Sequence, residues 1–216
     1  LLMRAVQYIP QGVLLAVVDP GVGTERKPIA LDTEWGVMIG PDNGLLNLAC
    51  ATVGGAQRGF LLDNEDWIIP SEGNTFHARD IFSPFAAGYA SGQLAIEDFG
   101  PELDLSNLNQ YLIPLTEITD NEIKGEILWV DHYGNCQTNV SPEELNGLKK
   151  SIGDVINIKI GNVEIKTTWV DNYQAEYLGD VGLITDSWGM ISLFSSNKNA
   201  SSILNIEDGA KISFLN

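Results

Sequence analysis

The chain has 216 residues, and its hydrophobic content of 44% suffices for a globular protein with one large or two small domains. The 29 acidic residues against 12 basic ones leave a formal charge of −17, which argues against a nucleic-acid partner, because phosphate binding needs a basic surface. The acidity is compatible with a cationic small ligand, although solubility alone accounts for it. No apolar run is long enough to span a membrane.

The first residues of the chain predict a helix without an N-terminal capping residue. The apolar residues within 1–6 have helical spacing, yet no capping residue precedes them. We therefore expect an N-terminal piece of the natural protein to be missing. Cys50 and Cys136 lack the spacing of metal ligands and are expected to be free thiols in a reducing, cytoplasmic compartment. The same count of cysteines, with only two histidines and none of these residues at ligand spacing, predicts no metal site.

The first half of the chain alternates between strand and helix patterns. Residues 13–18 are wholly apolar and predict a strand buried on both faces. Helices are expected at 45–53 and at 81–90, the second with Asp80 as its N-cap and Pro84 in its first turn. Further short strands are expected at 28–31, 37–39 and 59–62. This alternation predicts an α/β layer with a mostly parallel sheet, a Rossmann-like three-layer domain over residues 1–121 with a linker from about 100.

From residue 122 to 216 β patterns dominate. Strands at 155–160 and 163–169 are joined by Gly161 and Asn162, which fit a two-residue hairpin turn. Other strands are expected at 123–130, 181–185, 190–194 and 210–215. One small helix is predicted by the capping box at residues 141–144. We expect a smaller, all-β, barrel-like C-terminal domain.

Three polar segments interrupt the apolar first half. Residues 19–26 follow a buried strand, where ligand crevices form, but a plain strand exit explains them equally well. Residues 40–44 read more simply as a cap on the next helix. Residues 74–80 crowd polar groups at a helix N-terminus. A lone histidine is more often structural, but the position of His77 favours a neutral imidazole that can act as a base.

Together these segments resemble one family, the S-adenosylmethionine (SAM) hydroxide adenosyltransferases, adenosine-forming SAM hydrolases related to the SAM-dependent fluorinase and chlorinase. The resemblance rests on Asp-Pro-Gly-Val-Gly-Thr-Glu-Arg at 19–26, Gly-Pro-Asp-Asn-Gly at 40–44, Thr-Phe-His-Ala-Arg-Asp at 75–80, Asp-His-Tyr-Gly-Asn at 131–135, Thr-Asn at 138–139 and Asp-Ser-Trp-Gly at 186–189. The motifs occur in the family's order over essentially the whole chain. The family begins earlier, with a segment carrying a ribose-binding Asp that is absent here.

The resemblance implies a division of labour. Asp19, Arg26 and His77 match the catalytic triad that handles the attacking water, where the halogenases carry a Tyr in place of the first and third. It also implies substrate-binding roles for six residues of the second half: Tyr133 and Asn135 at adenine, Asp131 and Ser187 at the methionine end, and Ser195 and Asn197 near adenine through the backbone. Ala78 in place of the usual Gly, and the bulky Trp188, depart from the family pattern.

The implied reaction is attack of water or hydroxide at C5′ of SAM, giving adenosine and L-methionine. A SAM-dependent halogenase and a SAM or adenosine-binding module without turnover remain as alternatives, and a structural α/β protein with chance motifs is a remoter one. SAM is expected to be the substrate, not a cofactor. The resemblance further implies a homotrimer with each site at a subunit interface.

Overall fold

The structure is a computed structural model that describes residues 1–216, and the chain divides into two units, Leu1–Leu112 and Ile113–Asn216. Sequence analysis places the division after residue 121. The short strand Glu117–Ile118, which falls inside the expected linker, pairs with the strand that follows it in the second unit. None of the helices has the length and apolar character needed to cross a bilayer.

The sheet of the first unit is mixed. Its strands, in chain order, are β1 (Gly12–Leu15), β2 (Pro28–Thr33), β3 (Gly36–Pro41) and β4 (Ala56–Leu61). They lie in the order β1-β3-β2-β4. Only β1 and β3 are parallel, while β2 pairs antiparallel with both β3 and β4. The prediction of a mostly parallel, Rossmann-like sheet is therefore not confirmed.

The turn between β2 and β3 explains that difference. Only Glu34 and Trp35 separate the paired residues Thr33 and Gly36, and so short a link makes a hairpin, whereas parallel neighbours need a crossover of a dozen residues or more. The hydroxyl of Thr33 fixes the turn by accepting the N–H groups of Trp35 and Gly36, both at 3.1 Å. Two short apolar strands do not reveal their relative direction, but the length of the link between them does.

Helical segments cover both faces of this sheet. The helices are α1 (Leu2–Ala5), α2 (Asn47–Thr52) and α3 (Ser83–Ala90). On one face Ala30 and Ile39 pack in a cluster with Phe82 and Phe85 at the start of α3. On the other face Met38 lies in a second cluster with residues of α2. The sheet thus lies between two apolar clusters, with α3 on one side and α1 and α2 on the other.

The first strand differs from its prediction. It ends at Leu15, and Leu15 is 41% exposed, although residues 13–18 are expected to be buried on both faces. The physical reason is its position, because β1 is an edge strand with β3 as its only partner. The chain beyond it leaves the sheet as a loop that carries the first polar segment.

The start of the 81–90 helix also differs. A π-helical turn, Ala78–Phe82, leads directly into α3, and Pro84 lies in the first turn of α3 as predicted. Asp80 is not an N-cap, because it lies inside the π-helical turn with its carboxylate bonded to Arg79. Single π-helical turns are rare and occur frequently at functional sites.

The second unit is a closed β-barrel, as predicted. Its strands are β5 (Glu117–Ile118), β6 (Glu122–Val130), β7 (Cys136–Thr138), β8 (Val155–Ile160), β9 (Val163–Val170), β10 (Gly182–Thr185), β11 (Ile191–Phe194) and β12 (Lys211–Leu215). Seven of them close in the order β6-β12-β8-β9-β10-β11-β7, because β12 pairs with both β8 and β6. Closure removes free edges, and the short β5 extends β6 on the outside.

Local signals in the barrel sequence are matched by its structure. Ile160 and Val163 pair across the two-residue turn that begins at Gly161, whose positive φ of 58° suits glycine. The capping box is formed by Ser141 and Glu144 at the start of α4 (Pro142–Gly147). A fifth helix, α5 (Ala200–Leu204), and strand β7 are absent from the sequence prediction, because each spans only five residues or fewer.

Candidate active site

Two loops of the first unit meet next to α3. The loop after β1 turns at Gly23, whose φ is +78°, and a Cβ there would lie 2.5 Å from the backbone oxygen of Asn74. Only glycine permits such an approach. The contact sets residues 19–26 against residues 74–80, so two of the polar segments singled out in the sequence are neighbours in the fold.

Asp19 and Arg26 form a buried ion pair inside this loop. Nε of Arg26 donates to Oδ1 of Asp19 at 3.0 Å, and Nη2 donates to Oδ2. Each side chain is 6% exposed. A two-pronged bond between a guanidinium and a carboxylate fixes both groups in one plane. Because the pair is buried, removing either partner would leave an uncompensated charge.

His77 completes the predicted triad and has a defined tautomer. Its Nδ1 lies 3.0 Å from Nη2 of Arg26. A guanidinium only donates, so Nδ1 must accept and carries no proton. The neutral ring then has its proton on Nε2, which lies 2.7 Å from Oδ1 of Asn74 and donates to it. Asn74 is not among the site residues predicted from the sequence, although it lies three positions before His77 in the polar segment.

This arrangement changes the role expected of His77. Both ring nitrogens have partners, and the single lone pair of the neutral ring is used by Arg26. With Nδ1 accepting from Arg26 and Nε2 donating to Asn74, the ring has no free lone pair with which to take a proton. Its geometry is that of a group that orients Arg26, and the Asp19 carboxylate is the acceptor that remains.

One donor of the cluster has no partner. Nη1 of Arg26 is buried and makes no hydrogen bond, while the guanidinium lies 5.2 Å from the centre of the Phe82 ring. A buried N–H without an acceptor costs about 1–3 kcal/mol, so the position favours an oxygen-bearing ligand or a water. Nη1 is the guanidinium nitrogen that bonds to neither Asp19 nor His77, so its acceptor would come from outside the cluster.

The second polar segment supports the first. The side-chain amide of Asn43 donates to the backbone oxygen of Val18 at 2.8 Å, directly before Asp19. Its own oxygen accepts the N–H of Leu45 at 3.1 Å. The interpretation of residues 40–44 as a helix cap is wrong, since α2 begins only at Asn47 and has no side-chain cap.

Arg79 and Asp80 form a separate pair on the other side of the π-helical turn. Arg79 donates to both carboxylate oxygens of Asp80, at 2.6 and 2.9 Å, and lies over the ring of Phe76. The guanidinium lowers the pKa of Asp80, against the opposing effect of desolvation. Asp80 is therefore ionised and engaged in this pair.

The barrel presents the six predicted substrate-binding residues in three loops. In the first loop Asp131 accepts the N–H groups of Tyr133 and Asn135 and the side-chain amide of Asn135, each at 2.8 Å. The Asp131 carboxylate thus holds its own loop in shape. Tyr133 is 78% exposed, and its ring meets that of His132 in an edge-to-face contact with 5.7 Å between the ring centres.

The other two loops lie at opposite ends of β11. Ser187 precedes the strand in a turn held by Asp186, whose carboxylate accepts the N–H of Trp188 at 2.8 Å and a bond from Gln137. Ser195 and Asn197 follow the strand and line a cavity of about 210 Å³ together with Tyr177, Asp180 and Lys198.

The loop after β11 touches the Asp131 loop. The N–H of Ser201 donates to the oxygen of Gly134 at 3.0 Å, and a Cβ on Gly134 would lie 2.1 Å from the side chain of Asn199. The 131–135 and 195–199 loops are thus in contact, whereas the Ser187 turn is attached at the far end of β11.

Comparison with known families gives matches along most of the chain. Residues 1–100 match the model of the SAM hydroxide adenosyltransferase N-terminal domain, and residues 125–213 match that of the C-terminal domain. The chain is also similar to proteins named (R)-S-adenosyl-L-methionine hydrolase. The one from Salinispora tropica is 36% identical over 98% of this chain and 77% of its own length. The one from Thermus thermophilus is 36% identical over 85% of this chain and 71% of its own length.

Two solved structures are similar in fold. An uncharacterized conserved protein from Thermotoga maritima superposes with a TM-score of 0.84 at 27% identity, covering 99% of this chain and 81% of that one. A conserved hypothetical protein from Thermus thermophilus superposes with a TM-score of 0.69 at 28% identity, covering 99% and 79% of the two chains.

Proposed function

The chain belongs to the SAM hydroxide adenosyltransferase family, and from that premise we propose that it hydrolyses SAM to adenosine and L-methionine by attack of water at C5′. It is a hydrolase, and SAM is its substrate. The observation that carries the mechanism is the buried Asp19–Arg26 pair with His77 beside it and with Nη1 of the guanidinium left without an acceptor.

The chemistry needs little more than a well-placed water. The water oxygen bonds to C5′ as the C5′–S bond breaks, and sulfur leaves with the electron pair as the neutral thioether of methionine. No acid is needed for this leaving group. Nη1 of Arg26 would donate to the water oxygen, and the Asp19 carboxylate would accept the water proton. These two contacts would direct the lone pair of the water oxygen toward C5′, in line with the C5′–S bond that breaks.

Magnitudes favour positioning over proton removal. The pKa of water and that of a free aspartate carboxyl group differ by about twelve units, so forming free hydroxide with such a base costs about 16 kcal/mol. Proton transfer to a positioned base contributes about 10²- to 10⁴-fold. Holding the two reactants in line contributes about 7–11 kcal/mol. The rigid, buried Asp19–Arg26 pair would hold one water in place, and so it would supply the larger contribution, which is positioning.

The barrel loops suit the rest of the substrate. Tyr133 offers an exposed aromatic face for adenine, and Asn135 lies on the same loop for its edge. Ser195 and Asn197 line a neighbouring cavity. We assign Asp131 and Ser187 to the methionine end, which requires the Asp131 carboxylate to exchange a loop bond for one to the ligand.

We further propose a metal-free and cofactor-free reaction in a homotrimer. The predicted triad lies in the first unit and the predicted binding loops in the second, so a head-to-tail ring would let one subunit's triad face the next subunit's loops. We also propose a cytoplasmic location, because Cys50 and Cys136 are unpaired and buried, and burial raises the pKa of both thiols, that of Cys136 to about 12.

The proposed activity is tested by incubating the chain with SAM and identifying the nucleoside by mass spectrometry. We expect adenosine and methionine in equal amounts, unchanged when chloride or fluoride is added and unchanged by a chelator. A halogenated nucleoside would assign the chain to the halogenases instead. Binding of SAM without adenosine would identify a binding module, and loss of activity on chelation would overturn the metal-free proposal.

The names of the relatives lead to a second test, on the stereochemistry of the sulfur. A sulfonium with three different substituents is a stereocentre, and the relatives are named for the (R) form. We expect this chain to consume (R)-SAM from a mixture of the two sulfur epimers and to leave most of the (S) form. Chiral chromatography of the remaining SAM measures this, and equal consumption of both epimers would contradict it.

A further inference from the structure

We infer that Asn74 is a positioning residue that fixes the tautomer of His77 and, through it, the direction of the Arg26 guanidinium. This inference rests on the proposed function for its kinetic consequence, but its structural part stands on hydrogen-bond geometry alone. The chain of contacts runs from Asn74 Oδ1 to His77 Nε2 at 2.7 Å and from His77 Nδ1 to Arg26 Nη2 at 3.0 Å.

Donors and acceptors permit one consistent assignment. Arg26 only donates, so Nδ1 of His77 accepts and Nε2 carries the proton. Nε2–H needs an acceptor, which Oδ1 of Asn74 supplies. If the ring changed tautomer, Nδ1–H would oppose an arginine N–H; if the ring turned over, a C–H group would take the place of Nδ1, and the bond to Arg26 would be lost. Asn74 thus stabilises the tautomer that the bond to Arg26 requires, and it holds the ring in that orientation.

The tautomer matters because it decides where Arg26 points. With Nε and Nη2 bonded to Asp19, and Nη2 also bonded to His77, only Nη1 remains for a ligand. A histidine without Asn74 can rotate or move its proton and release Nη2. The guanidinium then has free N–H groups on two nitrogens in place of one, and a water bonded to it can take more than one position.

Asn74 is suited to a test by substitution. Asn74 is exposed, so replacing its side chain creates no cavity in the hydrophobic core. Its backbone oxygen, which packs against Gly23, is kept in any variant. The matched control is Asn107→Leu, an exposed asparagine of the same unit whose amide bonds only to Asp104.

The direct measurement is the ¹⁵N signature of the His77 ring. The chain has two histidines, so His132→Gln in the background leaves one ring to observe. We expect a proton on Nε2 alone in the parent and in Asn74→Asp, which keeps an acceptor. Asn74→Leu, and Asn74→Ala as a smaller second variant, should show a mixture of tautomers. A parent ring protonated on Nδ1, or on both nitrogens, would overturn the inference, as would an unchanged signature in both apolar variants.

Kinetics separate this role from a purely structural one. In the presence of His132, we expect Asn74→Leu to lower kcat about tenfold with KM within about twofold, Asn74→Asp to restore most of kcat, and Asn107→Leu to match the parent. Equal losses in Asn74→Leu and Asn107→Leu would contradict the role. If the parent itself produces no adenosine, the proposed function fails, and the ring signature alone then decides the position of Asn74.

Discussion

Replacing Asp19 with asparagine is expected to lower kcat for SAM hydrolysis by about a hundredfold or more, with KM changed by less than about threefold. Asparagine keeps the size of the side chain but removes the charge and the second acceptor oxygen. One of its N–H groups would oppose a donor of Arg26, and no carboxylate would remain to accept the proton of the water. The effect falls on the reaction step, because no adenine or methionine contact is assigned to Asp19.

The control for this variant is Asp32→Asn. Asp32 also pairs with an arginine of the first unit, accepting from Nε of Arg58 at 3.1 Å and from Nη2 at 2.8 Å, but its side chain is more exposed. Its loss should leave kcat nearly unchanged. Both variants must be assayed below their melting temperatures, because an unpaired buried guanidinium costs Asp19→Asn about 3–5 kcal/mol of stability. Equal kcat values for Asp19→Asn and the parent would refute the mechanism.

A double variant sharpens the test. If Asp19 and Arg26 act as one unit on the water, Asp19→Asn combined with Arg26→Met should lower kcat little further than the more damaging single change. Losses that multiply would show that the two residues act independently. In that case the buried pair would serve stability rather than catalysis.

The second large effect is expected from mixing two inactive variants. His77→Ala damages the triad in the first unit, and Asn135→Ala damages a binding loop in the second. In a head-to-tail trimer that shares its sites, mixing after dissociation should give about a quarter of the sites two intact halves and restore about a quarter of the parent's activity. Each variant alone should remain inactive, because every site in its ring carries the same defect.

The control is a mixture of His77→Ala with Arg26→Ala. Both changes lie in the same unit, so no arrangement of subunits yields an intact site, and no activity should return. Light scattering on the mixed sample reports whether a ring has formed. A ring that forms without recovery, or an active enzyme with the mass of one chain, would rule out shared sites.

Sequence patterns predict structure well where the structure depends on residues that are close together in the chain. The hairpin of β8 and β9 depends on side-chain alternation and one two-residue turn, and the structure has it in the predicted register. The sheet of the first unit depends on which strands meet, and there the prediction of parallel pairing is not confirmed. Buried strands carry no mark of direction in their composition.

Asp80 and Asn74 show the same limit within one segment. Asp80 is a polar residue directly before an apolar helix, which is the sequence signature of an N-cap. In the structure it lies within a π-helical turn, and its carboxylate accepts a hydrogen bond from Arg79. Asn74 has no such signature, because its importance comes from the ring nitrogen that it faces.

By itself the sequence determined the family resemblance and most barrel strands, and it predicted the three triad residues, because motifs, alternation and turn chemistry depend on residues that are neighbours in the chain. Only the tertiary structure decided the mixed pairing of the first sheet, the tautomer of His77 and the unpartnered Nη1 of Arg26. These properties depend on contacts between residues far apart in the chain, 51 positions for Arg26 and His77. Hydrogen-bond donors find their acceptors only after the chain has folded.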